Sequence, residues 1–128
     1  MPNVEGTTLE AAVQAAMDIG LMSWLGNARI REVTSADQVK QALHRSGVLL
    51  AAFHITDAWA FADASGWIPE GGNPVGGHAA VLCGFSQVGD RPYFAFQGSW
   101  GNQGWRGFNR ITPDQFRMQF AYALAFER

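Results

Sequence analysis

The sequence is poor in cysteine, in charge and in basic clusters. Cys83 is the only cysteine among 128 residues, so this chain can form neither an internal disulfide nor, by itself, a zinc site of several thiolates. Charged residues make up only 16% of the chain, the net charge is −2, and the Lys and Arg residues are scattered. This charge pattern argues against nucleic acid as a partner. We also expect no metal ion and no other cofactor, because no ligand or phosphate-loop motif is present.

Long apolar runs are missing as well. No segment approaches the roughly 20 apolar residues that a membrane-spanning helix needs, and neither a basic nor an apolar stretch follows Met1. We therefore expect no membrane segment and no signal peptide, and a chain that is soluble and cytoplasmic as translated or part of a larger assembly. A hydrophobic content of 48% in 128 residues suits one folded domain over residues 1–128.

Apolar periodicity and capping residues predict helices first and strands afterwards. Helices are predicted over residues 7–23, from the cap at Ser35 to Gly47, within 56–64, and at 112–116, where Thr112 is the expected cap. Strands are predicted at 29–33, 48–53, 78–85, 93–96, 108–111 and 120–126, and residues 65–77 are predicted to be a surface loop. The order predicts an α+β class, with N-terminal helices followed by a mostly antiparallel sheet.

Three glycine-containing motifs follow one another in the second half of the chain. They read Gly-Gly-His-Ala at 76–79, Gly-Ser-Trp-Gly at 98–101 and Gly-Trp-Arg-Gly-Phe at 104–108. In this order they resemble the histidine-bearing C-terminal portion of the papain-like cysteine peptidases (the C1 family). Weaker similarity upstream to bacterial members would fit a bacterial or phage source. The resemblance covers most of the chain and begins only after the cysteine-bearing helix of that family.

The resemblance implies a role for His78 and reveals two departures from the family pattern. His78 matches the imidazole that pairs with the catalytic thiolate, and it is therefore the candidate catalytic residue. Gly98 stands where the family has the Asn that orients this imidazole. Cys83 follows His78 by five residues on the same predicted strand, so regular alternation would place the two side chains on opposite faces. We expect Cys83 to be a small buried core residue and not a nucleophile.

Three functions remain open. The favoured one is a non-catalytic papain-like domain, a pseudoprotease, that acts as a binding, assembly or structural subunit. In the resembled fold a helical domain covers one face of this portion, so we expect exposed apolar surface and a protein partner or self-association. The alternative is half of a split protease, in which a partner chain supplies the cysteine and His78 the base. The second alternative is a carbohydrate- or peptide-binding module, and the binding candidates are Trp59, Trp67, Gln97, Trp100 and Trp105.

Overall fold

A computed structural model describes residue 11, residues 29–97 and residues 108–127 of the chain. The strands are β1 (Arg29–Val33), β2 (Leu49–Thr56), β3 (Pro74–Val88), β4 (Arg91–Gln97), β5 (Phe108–Ile111) and β6 (Phe120–Glu127). The helices are α1 (Ala36–Ser46) and α2 (Pro113–Gln119), and a 3₁₀ helix (Asp57–Phe61) follows β2. The α+β class is therefore confirmed. The predicted helix over 7–23 lies outside the described residues except for Ala11, which is helical.

The six strands form one antiparallel sheet in the order β1-β6-β2-β3-β4-β5. The main core lies on the face that α1, α2 and the 3₁₀ helix cover, and Phe53, Leu82 and Phe96 are fully buried there. Alternation directs the intervening side chains to the other side of the sheet, which we call the second face. Tyr122 and Leu124 belong to a smaller buried cluster on that face.

The predicted caps set the ends of both helices. The Ser35 hydroxyl accepts a hydrogen bond from the Gln38 N–H at 3.2 Å, and Thr112 caps α2 in the same way. Gly47 ends α1 with φ at +84°, and its N–H donates to the Leu43 carbonyl. Neither helix is long and apolar enough to cross a membrane.

Residues 74–77 are part of a strand and not of the predicted loop. β3 begins at Pro74, and Gly76 and Gly77 pair with Ile55 and His54 of a β2 that runs on to Thr56. Glycine and proline favour turns locally, but hydrogen bonding to a neighbouring strand offsets that preference here. This pairing orders the backbone on the N-terminal side of His78 and so helps to fix the position of that residue.

A short strand forms one edge of the sheet. β5 has four residues, and residues 66–68 bond to its outer side: the Ile68 N–H donates to the Arg110 carbonyl at 2.9 Å and the Arg110 N–H to the Gly66 carbonyl at 2.7 Å. These bonds use backbone groups that an open edge would leave available to another chain. They also hold Trp67 against the end of the sheet.

Candidate functional site

His78 lies in β3 directly opposite Phe53 of β2. Its side chain is half-buried, and this burial lowers the pKa of the imidazole because it disfavours the charged form. Because its pKa is lowered, the imidazole is neutral at neutral pH and can accept a proton, as a general base must. Alternation along β3 places His78 on the same side as Ala80, which belongs to the main core.

Cys83 lies at a β-bulge. The pairing of β3 with β4 shifts between Leu82 and Gly84, so Cys83 is the extra residue and interrupts the regular alternation. It is half-buried, not fully buried as expected, and its thiol lies 3.5 Å from the Ala95 carbonyl oxygen, to which it donates. Burial raises the pKa of the thiol, which keeps it protonated.

The separation of Cys83 from His78 excludes a direct pair between them. Five residues of a strand span roughly 16 Å, whereas a thiol and an imidazole that act together lie within hydrogen-bond reach. The structure therefore does not bring these two sequence candidates together.

Gln97 ends β4 and does not face His78. It pairs with Val81, which alternates with Ala80 and Leu82 and so lies on the second face. Gln97 is exposed there. The neighbouring motif positions Gly98, Trp100 and Trp105 lie outside the described residues.

Trp59 is part of the main core. It is 1% exposed, its ring centroid lies 5.3 Å from that of Phe53 and 5.1 Å from that of Phe96, and its indole N–H donates to the Gln119 side-chain oxygen at 3.1 Å. This packing leaves no ring face for a ligand at the surface. Trp67 lies on the second face, so the structure does not bring these two binding candidates together.

Trp67 is enclosed by charged and aromatic side chains that the sequence alone did not indicate as site residues. Its ring meets that of Tyr93 edge to face at 5.5 Å, and the Arg91 guanidinium lies over it at 3.6 Å. The Arg110 guanidinium lies 4.9 Å from the Tyr93 ring and 5.8 Å from the Trp67 ring. No local sequence pattern joins these residues, because they come from a loop and two strands.

A groove of about 700 Å³ lies at the end of β2. Its walls come from the end of β2, the segment before β3, the start of β3 and the helix α2, and they include His54, Thr56, Gly72, Gly77, Gln115, Met118 and Gln119. His54 is exposed in the groove, whereas His78 does not line it although Gly77 does. Gly77 belongs to the Gly-Gly-His-Ala motif found in the sequence. No motif indicated the α2 residues of the groove, because the tertiary fold alone brings α2 next to Gly77.

Gly72 is required by the close approach that shapes one wall of this groove. Its φ is +90°, and a Cβ at this position would come within 2.5 Å of the Asp57 carboxylate oxygen. That same oxygen accepts the Asn73 N–H at 3.0 Å, and the Thr56 hydroxyl donates to the Gly71 carbonyl at 2.7 Å. These bonds hold the segment before β3 against the end of β2.

Within the described part of the chain, no group of three or more His, Cys, Asp and Glu side chains could hold a metal ion.

The fold resembles that of solved papain-like cysteine proteases. The chain aligns with procathepsin B of Trypanosoma congolense with a TM-score of 0.62 and 18% identity, over 78% of this chain and 36% of that one. It aligns with a structure from a study of antibody cross-reactivity between the mite allergens Blo t 1 and Der p 1 with a TM-score of 0.53 and 15% identity, over 77% of this chain and 34% of that one. The chain matches no protein-family model and no curated protein.

The described residues therefore form part of the papain-like fold, as the sequence motifs implied. The chain spans about a third of the length of the solved proteins it matches. At these identities the likeness concerns the fold alone.

Proposed function

We propose that this chain is a papain-like domain that acts by binding a protein, either a partner or a second copy of itself, and that it does not hydrolyse peptides with its own residues. The contact surface is the part of the second face around Val81 of β3 and its partner Gln97 of β4. The observation that carries the proposal is the exposure of apolar side chains on that part of the sheet.

A row of paired residues crosses the second face and becomes more exposed along its length. Leu124 of β6 pairs with Leu50 of β2, which pairs with Val81 of β3, which pairs with Gln97 of β4. Leu124 is 2% exposed and Val81 38% exposed. One end of this row thus belongs to the smaller buried cluster, and the other end presents an apolar and a neutral side chain, Val81 and Gln97, to solvent. Such a surface is typical of protein contacts when it is contiguous.

The chemistry of Cys83 supports a binding role over hydrolysis. A nucleophilic cysteine has a lowered pKa and an electropositive neighbour, whereas burial raises the pKa of Cys83 and its thiol donates to a carbonyl. His78 lies too far along the strand to deprotonate it. A hydrolase built from these two residues would lack its thiolate, and partial catalytic groups retain little of the rate.

Charge introduced at Val81 tests the proposed contact surface. Val81→Asp places a carboxylate in the middle of the exposed row, and Val48→Asp is the matched control, since Val48 is 50% exposed and lies outside that row. Light scattering coupled to size exclusion, over a range of concentrations, measures self-association, and binding of a hydrophobic dye measures exposed apolar surface. Val81→Asp should reduce association or dye binding at least about fivefold and Val48→Asp by less than about twofold.

Two results would count against the proposal. One is a wild-type monomer that binds no dye, since such a protein would present no apolar contact surface. The other is an equal effect of both variants, since the contact would then not depend on the exposed row.

The second candidate function is a protease site shared with another polypeptide. The observation that favours it is the half-buried His78, whose lowered pKa suits a general base. In a mixture with a partner that carries a cysteine at a helix N-terminus, hydrolysis of a fluorogenic peptide should be thiol-dependent and abolished by His78→Ala. Activity that survives this substitution would exclude His78 as the base.

A further inference from the structure

The groove at the end of β2 has a polar wall made of two glutamine side chains of α2. Gln115 is 5% exposed and Gln119 is 9% exposed, and both line the groove. They lie four residues apart on the helix, so their side chains are neighbours on one face. All the residues that line the groove belong to the part of the chain that the structure describes.

Each of these glutamines uses one end of its amide within the fold. The Gln115 Nε2 donates to the Pro69 carbonyl at 3.1 Å, which identifies the nitrogen end of the amide and leaves the buried Oε1 without a hydrogen-bond partner. The Gln119 Oε1 accepts the Trp59 indole N–H at 3.1 Å, and among the described residues no group accepts from its Nε2. Buried amide groups are normally satisfied, so a ligand that donates to Gln115 and accepts from Gln119 would complete both.

Among the side chains described around the groove, carboxylates outnumber cations. Glu70, Asp114 and His54 line it, and the Asp57 carboxylate lies against its wall. Arg117 does not line the groove, and its guanidinium pairs with Asp114 at 2.7 Å. Glu70 is exposed and has no ion-pair partner among the described residues. The excess of negative charge favours a cationic ligand.

One hydrogen bond brings the acidic and the amide groups together. The bond from Gln115 to Pro69 joins α2 to the segment before β3, and Asp114 and Glu70 are the next residues along the chain at its two ends. The unpaired Gln115 oxygen is thus flanked by two segments that each carry a carboxylate. An ammonium group has three N–H donors and no acceptor, so this set of oxygen atoms suits it.

We propose that the groove binds a lysine side chain of a peptide segment. The ε-ammonium lies at Gln115 and Glu70, and the backbone carbonyl of the same lysine accepts from the Gln119 Nε2. The four-carbon stem of lysine separates its two polar groups, as about one turn of α2 separates the two glutamines. The stem packs against Met118, which also lines the groove. Neither Val81 nor its partner in the contact surface lines the groove, so this binding is independent of the protein contact.

A pair of capped tripeptides tests the proposal in NMR titrations of the isotopically labelled full chain at low ionic strength. The first is acetyl-Ala-Lys-Ala-amide, and the second has norleucine in place of lysine, which keeps the backbone and an apolar stem but lacks the charge. The lysine peptide should bind with a Kd below about 5 mM, and the norleucine peptide at least about tenfold more weakly, because it makes no charge-assisted hydrogen bond.

Substitution of Glu70 tests the site of the ammonium. Glu70→Gln should weaken binding of the lysine peptide about fivefold and change binding of the norleucine peptide by less than about twofold. Asp90→Asn is the matched control. Asp90 is exposed between β3 and β4 and does not line the groove, so this variant removes the same charge elsewhere and should change either affinity by less than about twofold.

Substitution of Gln119 tests the carbonyl contact. Gln119→Met should weaken binding of both peptides about threefold, because both carry the carbonyl that its amide would contact. Circular dichroism should show native spectra for all three variants. Should Gln119→Met not fold, the two peptides and the Glu70→Gln variant still decide the proposal, because Glu70 is exposed and its substitution leaves the core intact.

Four outcomes would overturn the proposal. A lysine peptide that does not bind wild type below about 5 mM would show that the groove does not hold it. Equal affinities for the two peptides would show that the ammonium is not recognised. Equal losses in Glu70→Gln and Asp90→Asn would show nonspecific charge attraction. Binding of spermidine through Glu70, without binding of the lysine peptide, would assign the groove to a free polyamine instead.

Discussion

The hydrogen bond between Trp59 and Gln119 allows a quantitative test of how the 3₁₀ helix is attached to α2. Trp59→Phe removes the indole N–H and leaves the buried Gln119 side-chain oxygen without the donor that it accepts at 3.1 Å. An unsatisfied buried acceptor costs about 1–3 kcal/mol, and the smaller ring adds the loss of packing against Phe53 and Phe96. We expect a total loss of about 2–4 kcal/mol in the free energy of unfolding.

Urea denaturation followed by circular dichroism measures this loss, and thermal denaturation should show a fall of about 4 °C per kcal/mol. Phe61→Leu is the matched control, since Phe61 lies in the same 3₁₀ helix but is 73% exposed, and it should change stability by less than about 0.5 kcal/mol. Gln119→Met, alone and combined with Trp59→Phe, completes a double-mutant cycle with an expected coupling of about 1 kcal/mol. Equal effects of Trp59→Phe and Phe61→Leu, or strictly additive losses in the cycle, would refute the assignment.

Three further predictions follow from the groove and from the two residues of the catalytic hypothesis. In urea denaturation, Gly72→Ala should destabilise the fold by more than Gly71→Ala. Both substitutions place a side chain on a left-handed backbone, which costs about 1–2 kcal/mol, and for Gly71, with φ at +82° and open space, that is the whole cost. At position 72 the new Cβ also meets Asp57, so equal costs would contradict the close approach. Burial lowers the pKa of His78, so the folded protein binds a proton at this imidazole less well than the unfolded chain does. Wild type should therefore lose stability relative to His78→Gln as the pH falls through about 6.5, with no further loss below the folded-state pKa. Parallel stability profiles of the two proteins between about pH 7.5 and 5 would disprove this. At neutral pH, Cys83 of the folded protein should react with a disulfide reagent at least about tenfold more slowly than glutathione, and its reaction should become fast in denaturant. Rapid reaction of the folded protein would show a thiolate.

Helix ends and the strand order along the chain were predictable because they depend on local signals. Ser35 and Gly47 bound α1 as expected, since an N-cap hydroxyl and a left-handed C-terminal glycine act on their own turns. The start of β3 at Pro74 was not predictable in the same way. Its glycines are ordered as strand by pairing with β2, and the sequence of residues 74–77 contains no information about that neighbour.

The candidate site was predictable only where a motif carried it. Gly77 and His78 belong to the Gly-Gly-His-Ala motif, so the sequence located the histidine. The groove wall from α2 and the side chains around Trp67 have no motif, because their residues are distant along the chain and meet only in the folded sheet. Trp59 and Trp67 look alike in the sequence and both are buried, and only their ring contacts in the folded chain distinguish them: Phe53 contacts Trp59, whereas Arg91 lies over Trp67.

The sequence by itself determined the α+β class, the caps and the position of His78 within a papain-like pattern, since each depends on residues close together in the chain. Only the tertiary structure decided which side chains share a face. Register with β2 and β4 placed Val81 and Gln97 on the second face, and the bulge at Cys83 shifted the alternation of the strand beyond it. One residue of shift in a strand exchanges its buried and exposed sides, and that shift is set by neighbouring strands and not by the strand's own sequence.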